Sequence, residues 1–131
     1  MKNDNLLLKL LKDYREALIE STTEYSNFYN EGDKMKKLYI SGKITGVENY
    51  KELFDKAEKY YKGIGYAVMN PAILPEGFEW DDYMTICLEM LKPCDVFALL
   101  EGWQNSPGAK RELKLALEYN KKIILYQGVV R

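Results

Sequence analysis

Four short apolar runs, each separated from the next by a stretch of helical periodicity, constrain this chain more than any other feature. Leu38–Ser41, Tyr66–Met69, Asp95–Leu100 and Ile123–Tyr126 read as strands. Between the first two, residues 49–61 set Tyr50, Leu53, Phe54, Ala57 and Tyr60 or Tyr61 on one helical face, and Gly63 and Gly65 close that helix. Residues 72–80 form a loop with Pro75, Gly77 and several aromatics. A second helix follows over residues 83–91, with Asp81 or Asp82 as its cap, and a third over residues 107–120. Strands that are apolar throughout and alternate with helices belong to a parallel sheet covered on both faces. The expected fold is therefore α/β: a Rossmann- or flavodoxin-like parallel sheet of about four to five strands flanked by helices.

Residues 1–35 differ. Leu7, Leu8, Leu11, Tyr14, Leu18 and Ile19 recur at three- and four-residue intervals, an amphipathic helix pattern that Tyr25, Phe28 and Tyr29 extend. Asn30-Glu31-Gly32-Asp33 then reads as a break. The expectation is an N-terminal helical extension over 1–35 and an α/β domain over 36–131. The extension either packs on its own domain or pairs with another subunit. A third option is that Met35 is the original start and the extension is accessory. The apolar face favours a homo-oligomer, dimer or larger.

Composition removes several classes of function. The chain has 131 residues, no histidine and two cysteines, Cys87 and Cys94, with no CxxC pair. The usual zinc spacings and the Ser-His and Cys-His nucleophile pairs are therefore missing, and neither a metal nor a cofactor is expected. Acid–base chemistry near neutral pH falls to carboxylates, Tyr, Lys or Cys. With 19 basic and 20 acidic residues the net charge is −1, which gives no field for long nucleic acid. No apolar run approaches the roughly 18 residues that span a bilayer, and no signal peptide is visible. The expectation is a cytoplasmic protein with reduced thiols and no membrane partner.

Two loops carry the candidate chemistry. In an open α/β sheet, ligands bind beyond the carboxyl ends of the strands. There lie Ser41-Gly42-Lys43-Ile44-Thr45-Gly46 after the first strand and Glu101–Gly108 after the third. Glycines let backbone N–H groups approach an anion, and Ser, Thr and Lys add donors. The first loop is neither a Walker loop nor GxGxxG, and an ordinary strand-to-helix turn accounts for it equally well. Ser106 and Glu112 open the third helix beside free N–H groups, which suits a nucleotide. A carboxylate in a first turn is also favoured by the helix dipole alone. Trp80 and Trp103 either stack on a base or serve as loop lid and core filler. Lys110 and Arg111 either reach a phosphate or cover a solvated face.

Taken in order, these segments resemble the nucleoside 2-deoxyribosyltransferase-like superfamily. The similarity runs from about Leu38 to Leu125. It is carried by Leu38-Tyr39-Ile40-Ser41-Gly42 with Ile44-Thr45-Gly46, Asn70-Pro71, Trp80-Asp81-Asp82-Tyr83-Met84, Cys94-Asp95-Val96, Gly102-Trp103 and Ser106-Pro107-Gly108-Ala109 with Glu112. The nearest likeness is to a small phage and bacterial branch of poorly defined function. Ser106 is also similar to the 2′-deoxynucleoside 5′-phosphate N-hydrolase branch.

The resemblance implies that Glu112 is a nucleophile at the anomeric carbon and that Tyr39 orients it. It implies a substrate site formed by Ser41, Gly42, Lys43, Ile44, Gly46, Asn70, Cys87, Trp103, Ser106 and Gly108, with Ser41, Gly42, Lys43, Gly46, Ser106 and Gly108 at the sugar phosphate. The partner implied is a small-molecule nucleotide or nucleotide derivative. One position departs from the family pattern. Counting back eight residues from Asp95 gives Cys87 where the family carries an acid for the leaving base, and a thiol is a poor stand-in for a carboxyl group. Asp81 and Asp82 could replace that acid only with a backbone shift, and an N-cap role fits them better.

Three functions follow. The first is an enzyme that cleaves or transfers at the N-glycosidic bond of a (deoxy)nucleoside 5′-monophosphate. The second is a catalytically impaired nucleotide binder, a sponge or sensor. The third is an oligomeric scaffold.

Overall fold

Strand β1, Lys37–Ser41, is the centre from which the rest of the chain is laid out. The computed structural model describes residues 35–127, so the expected N-terminal helix lies outside the described residues. From β1 the chain runs through helix α1, Tyr50–Gly63, to strand β2, Ala67–Met69. A single 3₁₀ turn, Pro71–Ile73, and a loop lead to helix α2, Trp80–Leu91. Strand β3, Val96–Leu99, a second 3₁₀ turn at Trp103–Asn105, helix α3, Pro107–Glu118, and strand β4, Lys122–Leu125, complete the order.

The sheet has four strands in the order β2-β1-β3-β4, all parallel. In register, Leu38 stands beside Val96 and Tyr39 beside Phe97. Side chains alternate across the sheet, so each strand serves two cores. Leu38, Ile40, Val96, Ala98 and Ile124 pack with Phe54, Ala57 and Tyr61 of α1. Tyr39, Phe97, Leu99 and Ile123 pack with Cys87 and Leu91 of α2 and Ala109, Leu113 and Ala116 of α3. Burial on both faces explains why the strand sequences are apolar without interruption.

Strand order reverses between β1 and β3. One connection leaves β1 outward to β2; the other leaves β3 outward to β4. The loops after these two central strands therefore diverge and open a crevice between them.

Several boundaries and one cap differ from the sequence expectation. Helix α2 starts three residues earlier, with Glu79 as N-cap; the Asp82 carboxylate accepts the Glu79 N–H at 2.9 Å. Asp82 therefore acts from the third helical position instead of capping directly. Leu53 and Tyr60 of α1 are exposed, because the sheet covers only the stripe of Phe54, Ala57 and Tyr61. Asp95 precedes β3 and accepts the Lys37 N–H at 2.9 Å, tying the starts of the two central strands.

Candidate functional site

Glu112 occupies a position that helical periodicity assigns to the core. It shares the buried stripe of α3 with Ala109, Leu113 and Ala116. A carboxylate there must find partners, since burying an unpaired charge is costly. Two hydroxyls from β1 supply them. Tyr39 Oη donates to Glu112 Oε2 at 2.9 Å, and Ser41 Oγ donates to Oε1 at 2.6 Å. Tyr39 and Ser41 are two residues apart, so they point to the same face of β1, toward α3. Both are fully buried.

Electrostatics follow from this enclosure. Burial pushes the Glu112 carboxyl up to about 7, opposed by the hydrogen bonds from Ser41 and Tyr39. Burial also raises the Tyr39 phenol well above its ordinary value, and the charges of Glu112 and Cys87 add to that effect. Tyr39 thus stays protonated and keeps its donor on the carboxylate. The Cys87 thiol, on α2, is pushed up to about 11, chiefly by burial; Tyr39 lowers it and Glu112 raises it. Near neutral pH the thiol is therefore neutral, while Glu112 is divided between its two forms.

A cavity of about 260 Å³ opens onto Glu112, just below the roughly 300–1,000 Å³ of small-molecule sites. Its lining joins Gly42–Thr45 from the loop after β1, Ser106–Ala109 from the start of α3, Trp80, Met84 and Cys87 from α2, and Leu74 and Phe78 from the loop before it. The rim is fixed locally. Tyr83 Oη donates to the Pro75 carbonyl and accepts the Phe78 N–H, closing the 75–83 loop on itself. Lys51 reaches Glu76 at 2.9 Å across the surface.

The structure brings together most of the residues singled out by sequence. Gly42, Lys43, Ile44, Cys87, Ser106, Gly108 and Glu112 all line the cavity. Tyr39 and Ser41 lie beneath it as partners of the carboxylate. Ser41 thus donates to Glu112 beneath the cavity, whereas Lys43 and Thr45 of the same loop line it. Ser106 caps α3, its Oγ accepting the Ala109 N–H at 3.0 Å, and it can still donate its hydroxyl proton.

Three other residues stand apart from the lining. Asn70 caps the first 3₁₀ turn through Ala72 N–H and donates to Glu58 at 2.8 Å, joining β2 to α1. Trp103 is in the core under α3, 1% exposed. Gly46 has φ +81°, which suits the turn into α1. Asp81 and Asp82 are solvent-exposed.

Sequence reasoning missed the bond between Ser41 and Glu112, although the two-residue spacing from Tyr39 carried the signal. It had aromatics in the 72–80 loop, with Trp80 as a stacking residue or lid, but not that Tyr83 joins Phe78 and Trp80 at the cavity. No group of three or more Cys, Asp or Glu side chains among the described residues is placed to hold a metal ion, and no helix among them is long and apolar enough to cross a membrane.

Among known families, the model described as Domain of unknown function (DUF4406) matches residues 36–125. No curated protein matches the chain.

Proposed function

The chain belongs to the DUF4406 family, and we propose that its cavity binds a nucleotide and breaks or transfers the N-glycosidic bond through Glu112. The observation that carries this reading is the carboxylate itself: buried, open to a cavity, and gripped on both oxygens by hydroxyls from one strand. Such clamping fixes the direction of attack, as a nucleophile at an anomeric carbon requires. It is also the arrangement that the resemblance to the nucleoside 2-deoxyribosyltransferase-like superfamily leads one to expect of Tyr39 and Glu112. Lys43, Ser106 and the Gly108 N–H offer the donors for a 5′-phosphate at the start of α3. In this reading the protein acts in the cytoplasm, needs no metal or cofactor, and works as a homo-oligomer.

The step begins with the ionised carboxylate. One Oε attacks C1′ of the sugar, the bond to the base breaks, and a glycosyl ester on Glu112 results. Water or a second base then takes the sugar from the ester. The test is incubation of the full chain with a panel of nucleoside and deoxynucleoside monophosphates, reading free base by chromatography. Release that disappears in Glu112→Ala supports the reading; absence of release across the panel, nucleotides with a cationic base included, overturns it.

One observation favours a second reading, a binder without turnover. The position expected to serve the leaving base holds Cys87, a neutral thiol. Thermal stabilisation by a nucleotide without base release would select this alternative.

A further inference from the structure

We propose that the bond cleaved at this site joins the sugar to a cationic heterocycle, a pyridinium or an N7-alkylated purine, whose base leaves without taking a proton. This inference rests on the glycosidic reading above and names its substrate class.

The argument starts from what surrounds the carboxylate. A neutral base departing from C1′ carries away the electron pair of the C–N bond and becomes an anion, so it needs an acid beside it. In this cavity the helix that faces Glu112 presents sulfur: Cys87 Sγ and, one turn before it, Met84 Sδ. The thiol is buried and held near 11, far from the value at which a proton donor works efficiently at neutral pH. Tyr39 directs its proton to Glu112, and Tyr83 directs its own to the Pro75 carbonyl. Glu76, on the rim, is exposed and paired with Lys51. Among the described residues that line the cavity, no carboxylic acid other than the nucleophile itself is free to serve the leaving group.

The remaining surroundings suit positive charge. Among the described residues that line the cavity Lys43 is the one cation, and with Glu76 offset by Lys51 the negative charge that faces a bound ring is that of Glu112. Phe78 and Trp80 stand on the rim, both substantially exposed, and the electron-rich faces of such rings attract a cationic ring.

With such a substrate the chemistry closes without an acid. A Glu112 oxygen forms a bond to C1′ as the C–N bond breaks. The released electron pair neutralises the ring nitrogen, and the base leaves uncharged. Water then attacks C1′, the ester bond to Glu112 breaks, the carboxylate is regenerated, and the surplus proton passes to solvent.

The experiment compares matched pairs on the full chain: β-nicotinamide mononucleotide and N7-methylguanosine 5′-monophosphate against AMP and GMP. Free base is measured by chromatography, and the rate with Glu112→Gln is subtracted from each to remove spontaneous loss. Since a positioned acid contributes about 10²–10⁴-fold, the cationic substrates should turn over at least about a hundredfold faster than their neutral partners. Cys87→Asp should narrow that ratio by at least tenfold. Wild-type rates within tenfold of each other for the two classes would overturn the inference and leave the glycosidic reading standing. No Glu112-dependent release from any of the four would overturn both. The wild-type comparison decides the matter even if Cys87→Asp does not fold.

Discussion

At Glu112 the cost of burial outweighs the benefit of two hydroxyl donors, and the difference is measurable as pH dependence. The folded carboxyl titrates at about 7, against an ordinary value of 4.5. The folded state therefore holds a proton more tightly than the unfolded chain. Stability from this group is fully present below about pH 4.5 and is lost as pH rises through 7. The span amounts to about 3 kcal/mol. Urea titrations between pH 4.5 and 8 should show this decline in the wild type. Glu112→Gln should flatten it, because the amide does not titrate in this range.

Ser41→Ala tests the opposing contribution. Loss of a hydrogen bond to a charged group should cost about 1.5–3 kcal/mol at pH 8, and the carboxyl should move further up. If Glu112 must be ionised to attack, the ascending limb of kcat/KM against pH should then shift to higher pH in Ser41→Ala; an unmoved limb would count against Ser41 as its support. Glu112 itself was legible in the sequence as a chemical candidate, through its place one turn into the helix after β3. Its true partner set was only half legible, because the loop containing Ser41 reads equally well as an anion cradle. Only the sheet decides which way that hydroxyl points.

Among the elements, the two loops over the crevice owe their shape to packing as much as to any ligand. A Cβ on Gly42 would stand 2.9 Å from Leu100 Cβ, closer than such atoms approach. Gly42→Ala should therefore destabilise by about 1–3 kcal/mol in chemical denaturation. Ser106→Ala should cost about 1 kcal/mol through the lost cap, and Ser106→Asp should recover most of it. These figures matter for interpreting activity data, since both positions also line the cavity. The strands were readable because parallel strands buried on both faces leave a plain apolar signature. The inward face of α1 was read too widely at Leu53, which fits the helical period but extends past the sheet's cover, and of Tyr60 and Tyr61 it is Tyr61 that turns inward. The 75–83 rim was legible as a loop bearing aromatics, but its shape was not, because that depends on Tyr83 folding back onto Pro75 and Phe78.

On the scale of the whole molecule, both thiols are enclosed and free, and both are held near 11 by burial. Alkylation needs the thiolate and access together. Native protein at pH 7.5 should react with iodoacetamide far more slowly than urea-unfolded protein, and residue-resolved mass spectrometry should show this at both positions. A ligand in the cavity should protect Cys87 more than Cys94, since only Cys87 lines it. Fast labelling of Cys87 alone in the native state would mean that the crevice opens well beyond the geometry described.

The bonds from Tyr39 and Ser41 to Glu112 join residues 73 and 71 positions apart. A chain halted during synthesis before its third helix holds both hydroxyls but has nothing for them to grip. The clamped carboxylate therefore forms late and all at once, and a truncated or half-folded copy holds no part of it.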